Sequence, residues 1–186
     1  PYIEKLIDKF LNFSVDCRLI SPESKFKFTE GLDSESGFDF YNVSFSPFYG
    51  INLLIKNIID KILSIIFLII SFPIIVLSCF FVLLEDGFPL FFKQKRTGWD
   101  GKTFYITKIR TLNKKNIDGQ VISGDKRITK VGSFIRRFSI DELPQFLNVL
   151  QGRMSIVGPR PHPLDQTKHY SKEILNFMQR HKCPPG

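Results

Sequence analysis

The longest hydrophobic pattern in the chain is the uncharged run from residue 62 to 84, "ILSIIFLIISFPIIVLSCFFVLL". Its 23 residues would extend about 35 Å as a straight helix, enough to cross a bilayer core of about 30 Å. Pro73 lies at the centre, where it removes a backbone donor and crowds the preceding turn. The hydroxyl of Ser71 suits a carbonyl freed by a break there. The run predicts either a kinked spanning helix or a helix–break–helix that returns to the same face.

The residues that flank this run carry positive charge on both sides. Lys56 and Lys61 precede it, and Lys93, Lys95 and Arg96 follow it. Spanning helices are oriented by an excess of Lys and Arg on the cytoplasmic side, and no such asymmetry is visible here. This arrangement is what we expect if both ends stay in the cytoplasm.

The remaining pattern predicts short strands and amphipathic helices. "LFFKQKR" and "KTFYITKIRTL" alternate as strands do, and Asp100-Gly101 between them predicts a tight hairpin turn. Polar residues 113–127 predict a loop, and apolar spacing predicts helices over residues 128–138, 140–151 and 166–182. Upstream, residues 1–12 predict a helix, and residues 13–48 predict strands and loops that end a small α/β unit.

Charge is divided unevenly between the two halves of the chain. Residues 1–86 hold 7 Lys and Arg against 11 Asp and Glu, whereas residues 87–186 hold 19 against 7, a net charge of +12. The second half should therefore meet an anionic partner such as a phosphate-rich ligand, acidic lipid or nucleic acid. The three cysteines have unrelated spacings, which predicts neither a disulfide framework nor a zinc site and suits a reducing compartment.

Two adjacent acids, Asp141 and Glu142, stand inside this basic half. One interpretation is a capping box, with Ser139 as the N-cap and Glu142 reaching back to its amide. The other is chemical: cationic neighbours such as Arg136 and Arg160 hold Asp141 ionised as a nucleophile. Glu142 would then help to hold Mg²⁺ together with substrate phosphates. Nucleophile, metal and arginines are the set that phosphoryl transfer requires.

Three stretches together carry a family resemblance: "KQKRTGWDGKTFYITKIRT", "DKRITKVGSFIRRFSIDELPQFLNVLQGRMSIVGPRP" and the "SFP" within the hydrophobic run. Over residues 51–186 the chain resembles the bacterial sugar transferases, the monotopic polyprenyl-phosphate phosphoglycosyl transferases. Its tail is most similar to the subgroup that acts on UDP-glucose in exopolysaccharide synthesis. Residues 1–48 resemble the end of a Rossmann-like domain that precedes the catalytic domain, and the catalytic domain itself, residues 49–186, looks truncated at its C-terminus.

The resemblance implies transfer of a sugar 1-phosphate from a UDP-sugar to undecaprenyl phosphate, with release of UMP. It implies that Asp141 is the nucleophile of a phosphosugar–aspartate intermediate and that Glu142 is associated with Mg²⁺. Arg136 and Arg160 match phosphate- or nucleotide-contacting arginines, and we add Arg110 and Lys95 as further candidate substrate contacts. Ser71 and Pro73 match the break of a re-entrant membrane helix, residues 51–84.

We therefore predict an α+β, membrane-associated catalytic domain with a re-entrant hydrophobic helix, a β-hairpin and amphipathic helices. It would lie on the cytoplasmic face of the bacterial inner membrane. The sequence leaves open whether it forms a homo-oligomer. The rival from another class is a non-enzymatic, membrane-anchored module that binds nucleic acid or acidic lipid; no nucleic-acid-binding signature supports it. A polytopic sugar-phosphate transferase is disfavoured by the single hydrophobic run.

Overall fold

The computed structural model describes residues 9–10, 13, 16–21, 39–44, 46, 50–114, 125–174 and 176–186. Most of the predicted helix at residues 1–12 and most of the predicted loop at 113–127 lie outside these residues; residues 9–10 are helical. Two strands upstream, β1 (Cys17–Ser21) and β2 (Asp39–Ser44), pair antiparallel. They confirm strands in this region, whereas its assignment to a Rossmann-like domain stays a prediction.

The hydrophobic run forms part of one long helix, α1, from Ile51 to Asp86. At 36 residues it would be about 54 Å long, and it is long and apolar enough to cross a membrane. The helix continues through Pro73, and the Ser71 hydroxyl donates to the carbonyl of Leu68 at 3.4 Å. The chain thus stays helical across the predicted break at Ser71–Pro73, and the re-entrant course of α1 stays a prediction.

One face of α1 is buried, and most of its residues are small or polar. Asp60, Ser64, Ser71, Ser78 and Val82 follow one another at spacings of four and seven residues, which places them on one side of the helix. The Ser64 hydroxyl donates to the carbonyl of Lys61 within the helix. Small side chains let the backbones of packed elements approach closely. This stripe is where α1 packs against the rest of the chain.

The other faces of α1 expose many large apolar side chains. Single exposed apolar residues are ordinary, but so many on one helix indicate an interaction or membrane surface. The exposed apolar residues of α1 include Ile58, Ile62, Ile69, Ile70, Phe72, Leu77, Phe80 and Leu84, and Phe88, Phe134, Phe138 and Leu147 are exposed beyond it.

The predicted hairpin is confirmed. Strands β3 (Phe91–Thr97) and β4 (Thr103–Ile109) pair antiparallel, with Phe92 opposite Lys108 and Gln94 opposite Ile106. The connecting 3₁₀ turn, Trp99–Gly101, holds Asp100 at φ 51° and Gly101 at φ 71°. Asp and Gly tolerate these left-handed angles better than most residues, so the turn residues fix the place of the hairpin.

Three further helices cover the hairpin and α1: α2 (Lys130–Arg137), α3 (Phe146–Leu150) and α4 (Leu164–Glu173). Thr129 caps α2 by accepting from the Gly132 amide. The helix predicted at 140–151 is divided into a 3₁₀ segment, Ile140–Gln145, and α3, and Pro144 lies inside the 3₁₀ segment. The helix predicted at 166–182 is likewise divided, because Asn176 takes a left-handed conformation before the 3₁₀ segment Phe177–Lys182.

Two small cores join these elements. Cys79 and Val82 of α1 pack with Ile109 of β4 and Ile135 of α2, and Ile106 packs with Val149 and Met154. Asn148 of α3 joins this helix to β4 by two hydrogen bonds: its amide nitrogen donates to the Tyr105 carbonyl, and its oxygen accepts from the Thr107 amide. The coarse prediction of helices around a β-hairpin with one long apolar helix is therefore confirmed.

Candidate active site

The candidate site is a cleft of about 310 Å³ between the hairpin, α2 and the segment that follows α3. Its lining includes Gln94 and Arg96 of β3, Lys108 of β4, Arg110, Thr111, Arg136 of α2, Asp141, Arg160, Pro163 and Gln166. A smaller cavity of about 150 Å³ shares Arg96, Lys108 and Arg160 with the cleft and adds Glu142. The two acids thus face a cationic wall, which consists of Arg96, Lys108, Arg136 and Arg160 and is contributed by four separate segments of the chain.

Asp141 lies in the first turn of the 3₁₀ segment and is 7% exposed. Burial raises the pKa of its carboxyl group above the ordinary value, Lys108 and Arg136 oppose that shift, and the charge of Glu142 adds to it. The net direction is upward, so burial outweighs the cations that we expected to hold this group ionised. A carboxyl group whose pKa is shifted by burial, in a cleft beside charged side chains, is a candidate functional group.

Glu142 does not form the predicted capping box. Ser139 adopts a left-handed conformation, φ 55° and ψ 24°, and its side chain makes no capping hydrogen bond. The Glu142 carboxylate instead accepts from Lys108 Nζ at 2.6 Å and from Arg160 Nη2 at 2.9 Å, both at Oε1. Burial alone would raise the pKa of Glu142, but these two cations outweigh it and lower the pKa below its ordinary value. The capping interpretation is therefore wrong, and Glu142 instead forms ion pairs with two members of the cationic wall.

Arg160 is held by its backbone while its side chain stays 69% exposed. Its carbonyl accepts from Arg180 Nη2 at 2.9 Å, and the next carbonyl, that of Pro161, accepts from Arg96 Nη1 at 3.0 Å. The residue before Pro159 also needs to be glycine, because a Cβ on Gly158 would lie 2.2 Å from the Pro184 carbonyl oxygen. The guanidinium of Arg160 therefore projects into the cleft from a fixed base.

Arg136 of α2 also lines the cleft. Its Nε donates to the Thr111 hydroxyl at 2.7 Å, which fixes the guanidinium plane next to the strand end. Because an arginine fork presents several donors in a fixed geometry, anchoring one nitrogen leaves the terminal nitrogens directed to an anion. The structure thus brings Asp141, Glu142, Arg136 and Arg160 together, as predicted, although their roles stay predictions.

Arg110 lines the cleft but is committed to the protein. It is 2% exposed, and all three of its guanidinium nitrogens donate within the chain, to the Asp86 carboxylate and to the carbonyls of Asp86, Gly87, Pro89 and Leu112. No donor is left for a substrate phosphate. The structure therefore does not support Arg110 as a substrate contact; the residue joins the end of α1 to β4.

Lys95 does not line the cleft, so its predicted substrate contact stays a prediction. Alternate β3 residues Phe92, Gln94 and Arg96 line the cleft, and successive side chains of a strand point to opposite faces. Lys95 is exposed on the other face. Its neighbour Arg96 and Lys108 of β4 line the cleft. The sequence suggests Lys108 as a phosphate or headgroup contact, whereas Arg96 is not among the predicted site residues. If one residue of β3 had been known to face the cleft, the alternation of side chains along the strand would have shown that Arg96 faces it and Lys95 does not.

Magnesium has two carboxylates available at this site, from Asp141 and Glu142. Among the described residues no group of three or more His, Cys, Asp and Glu side chains is arranged to hold a metal ion. Mg²⁺ commonly uses only one or two carboxylates plus substrate phosphates and water, so this donor set fits. Both cations that bind Glu142 contact Oε1, so Oε2 is the Glu142 oxygen that would bind Mg²⁺.

The amino-acid sequence matches the model of the family described as "Bacterial sugar transferase" over residues 51–186. The chain is 36% identical over 188 aligned residues to a UDP-glucose:undecaprenyl-phosphate glucose-1-phosphate transferase of Escherichia coli K12, covering 99% of this chain and 40% of the relative. A relative of the same name from Klebsiella pneumoniae is 43% identical, over 76% of this chain and 31% of its own length.

A third relative differs in its named sugar. It is the UDP-N-acetylgalactosamine-undecaprenyl-phosphate N-acetylgalactosaminephosphotransferase of Aeromonas hydrophila, 37% identical over 76% of this chain and 33% of its own length. The chain thus spans about a third to two fifths of the length of these relatives. The family match covers the hydrophobic helix, the hairpin and every residue of the cleft. The chain belongs to the bacterial sugar transferase family.

Proposed function

We propose that this chain carries the catalytic site of an enzyme that transfers a sugar 1-phosphate, most simply glucose 1-phosphate, from a UDP-sugar to undecaprenyl phosphate. The observation that carries the proposal is the buried carboxyl group of Asp141 beside the cationic wall. The 3₁₀ segment that holds Asp141 contacts the apolar helix α1. Such a cleft suits two phosphate-bearing substrates, one soluble and one lipid-linked. The names of the relatives from E. coli and K. pneumoniae support glucose as the sugar.

The proposed reaction has two displacements at one phosphorus atom. A carboxylate oxygen of Asp141 attacks the sugar-linked phosphorus; an O–P bond forms, and the bond from this phosphorus to the bridging oxygen breaks. UMP leaves with that oxygen and its electron pair. A phosphate oxygen of the polyprenyl phosphate then attacks the same phosphorus, the Asp141–phosphorus bond breaks, and the free carboxylate is restored.

The cations of the cleft would act on charge that both displacements develop. Lys108, Arg136 and Arg160 approach from different elements, so they can contact different oxygens of a diphosphate at once. Glu142 fixes two of them, because Lys108 and Arg160 share its Oε1. We propose that Asp141 and Glu142 hold Mg²⁺ together with substrate phosphates; when bound, the ion would neutralise phosphate charge.

The membrane part of the proposal rests on where α1 contacts the rest of the chain. Near its start, Lys56 Nζ contacts the Ser155 hydroxyl at 2.5 Å and Asp60 accepts from the Ile156 amide. At its end, Asp86 pairs with Arg110. A helix that crosses a bilayer has its ends in different aqueous phases, and one domain cannot contact both without entering the lipid core. We therefore propose that both ends face the cytoplasm and that the exposed apolar faces contact lipid.

Cysteine labelling tests this topology. Gly50 and Gly87 flank α1, and we expect cysteines at both positions in intact inner-membrane vesicles to react from the cytoplasmic side only. Labelling of the two positions from opposite sides of the membrane would contradict the proposal.

The reaction is tested by UMP release from UDP-glucose in the presence of undecaprenyl phosphate, with and without EDTA. We expect release that needs the lipid phosphate and Mg²⁺, together with a sugar-linked phosphate label retained on the peptide that contains Asp141 after quenching. A panel of UDP-sugars identifies the donor. Salt-sensitive DNA retention without UMP release would favour the non-enzymatic basic module instead.

A further inference from the structure

Two neutral amide side chains, Gln94 and Gln166, line the cleft among its cations. Gln94 is on β3, and Gln166 is on α4. Their chemistry differs from that of the surrounding residues, because Lys and Arg favour phosphate whereas an amide suits an uncharged hydrogen-bonding group. What each amide offers to a ligand depends on which of its two polar atoms the protein already holds.

The orientation of Gln94 is set by Arg96. Arg96 Nη2 lies 2.6 Å from Gln94 Oε1, and since a guanidinium can only donate, the atom that faces it is the oxygen. Arg96 is itself fixed, because its Nη1 donates to the Pro161 carbonyl at 3.0 Å. The amide nitrogen of Gln94, with its two N–H donors, is therefore the atom left for the cleft.

The orientation of Gln166 is set through His162. Arg180 Nη1 lies 2.7 Å from His162 Nε2, so that nitrogen must accept and the ring proton must be on Nδ1. Nδ1 lies 3.3 Å from Gln166 Oε1, and it therefore donates to this oxygen. The pKa of His162 is lowered, first by burial and then by the nearby Arg180, Arg96 and Arg160, which favours this neutral ring.

The His162 ring is also held by packing. Tyr170 and Phe177 contact it in edge-to-face arrangements at centroid distances of 5.5 and 5.8 Å. Arg180 completes the frame, since it also donates to the Arg160 carbonyl. The same residue that supports Arg160 thus fixes the ring that orients Gln166, and the amide nitrogen of Gln166 is left for the cleft.

We propose that Gln94 and Gln166 donate hydrogen bonds to uncharged oxygen acceptors of the nucleotide-sugar and are specificity-determining residues of this site. The inference rests on the proposed function, because it assumes that the cleft binds a UDP-sugar. Within the described residues, no acceptor contacts either amide nitrogen. Hydroxyl and carbonyl oxygens are the complementary groups, and they occur both on the sugar and on the uridine.

Fixed donors of this kind discriminate between ligands more sharply than an apolar pocket does. A ligand that lacks the matching oxygen leaves a donor unpaired in a confined site, which costs more than the loss of apolar contact. The cations would therefore supply most of the affinity for phosphate, and the two amides would supply the choice of nucleotide-sugar.

Calorimetric binding to the detergent-solubilised, full-length protein tests the inference, with UDP-glucose, UDP and UMP as separate ligands. We expect Gln166→Met and Gln94→Met each to weaken UDP-glucose binding about 5- to 10-fold, the loss of one hydrogen bond. Gln166→Glu keeps the oxygen that His162 needs but removes the N–H donors, so it should lose at least as much. Gln151→Met is the matched control, because Gln151 is exposed outside the cleft.

The ligand series separates the two sources of the acceptor. A loss confined to UDP-glucose assigns the acceptor to the sugar, and an equal loss with UMP assigns it to the uridine. Wild-type affinity for all three ligands in both Met variants would overturn the inference while leaving the proposed function in place. If the unmodified protein binds none of UDP-glucose, UDP and UMP, the proposed function and the inference both fall.

Discussion

Two clusters of charged side chains lie close together near β4, and they differ in how well their charges are matched. The α1 junction consists of Asp86, Gly87, Pro89 and Arg110. There the guanidinium has an acceptor for every nitrogen, and every acceptor belongs to the protein. Its charges and donors are satisfied without a ligand.

The cleft is matched poorly by comparison. Four cations, Arg96, Lys108, Arg136 and Arg160, share this region with two carboxylates, Asp141 and Glu142. Arg96 Nε is buried and has no hydrogen-bond partner among the residues that the structure describes. Cations gathered in excess at a partly enclosed surface are stabilised when an anion enters. The comparison teaches that a buried arginine marks a binding site only where its donors exceed the acceptors that the protein supplies.

The largest expected effect comes from Asp141→Asn. It should abolish UMP release and labelling of the protein, because an amide cannot serve as the nucleophile. The stability of the folded protein should not fall with the loss of activity. The pKa of Asp141 is raised in the folded state, so the unfolded chain binds fewer protons and stability falls as pH rises through the folded pKa. At pH 7 the neutral Asn should therefore leave Tm unchanged or raise it.

Activity and thermal unfolding measured on the same sample check this prediction. Substantial turnover in Asp141→Asn, or label on a peptide without residue 141, would make the nucleophile assignment wrong. A large drop in Tm would instead indicate a structural carboxylate of the kind found at the α1 junction.

Arg110→Met tests the other member of the comparison. Removing one partner of a buried ion pair leaves an uncompensated charge, here Asp86, and costs about 3–5 kcal/mol. We expect a marked fall in Tm, with the affinity for UDP-glucose retained in the fraction that stays folded. Lys172→Met is the control, since Lys172 is an exposed cation on α4 and surface changes usually stay within about 0.5 kcal/mol. Selective loss of UDP-glucose affinity with normal Tm would return Arg110 to the list of substrate contacts.

The sequence predicts local structure well where one residue type decides it. Asp100-Gly101 fixed the hairpin turn, because few residues accept its left-handed angles. Prediction fails where two contacts compete for one group. Ser139-Ile-Asp141-Glu142 satisfies the capping pattern, yet Lys108, distant in sequence, and Arg160 bind the Glu142 carboxylate in the folded chain.

The same limit explains the candidate site. Asp141, Glu142, Arg136 and Arg160 are recognisable by motif, and the structure gathers them. Lys95 and Arg96 are adjacent cations, and only the pairing of β3 with β4 decides which one faces the cleft. Gln166 carries no sequence signal, because its orientation depends on His162 and Arg180 across a turn of the fold.

Arg160→Lys sharpens the account of the unmatched cations. Lysine keeps the charge but offers a point donor in place of a planar fork, so it cannot contact two phosphate oxygens and Glu142 in the same geometry. We expect kcat/KM to fall about tenfold or more, with Tm unchanged because the Arg160 side chain is largely exposed. Arg153→Lys, on an exposed arginine outside the cleft, should behave as wild type. Near-normal turnover in Arg160→Lys would reduce Arg160 to a surface charge.

The smallest expected effect concerns the His162 ring behind the cleft. Its pKa is lowered in the folded state, mainly by burial and also by Arg180, Arg96 and Arg160, while Gln166 opposes the shift. Between the folded pKa and the ordinary value of about 6.5 the unfolded chain binds more protons, so stability is fully present above pH 6.5 and is lost as pH falls through the folded pKa.

His162→Gln removes this titration, and we expect it to flatten the decline of Tm between about pH 7 and pH 5 by a few degrees at most. Part of the decline should remain, because burial also lowers the pKa of His181. His169→Gln is the matched control, since His169 is exposed beside Glu173. An unchanged pH profile in His162→Gln would mean that the ring is not held neutral, and that Arg180 does not orient Gln166 through it.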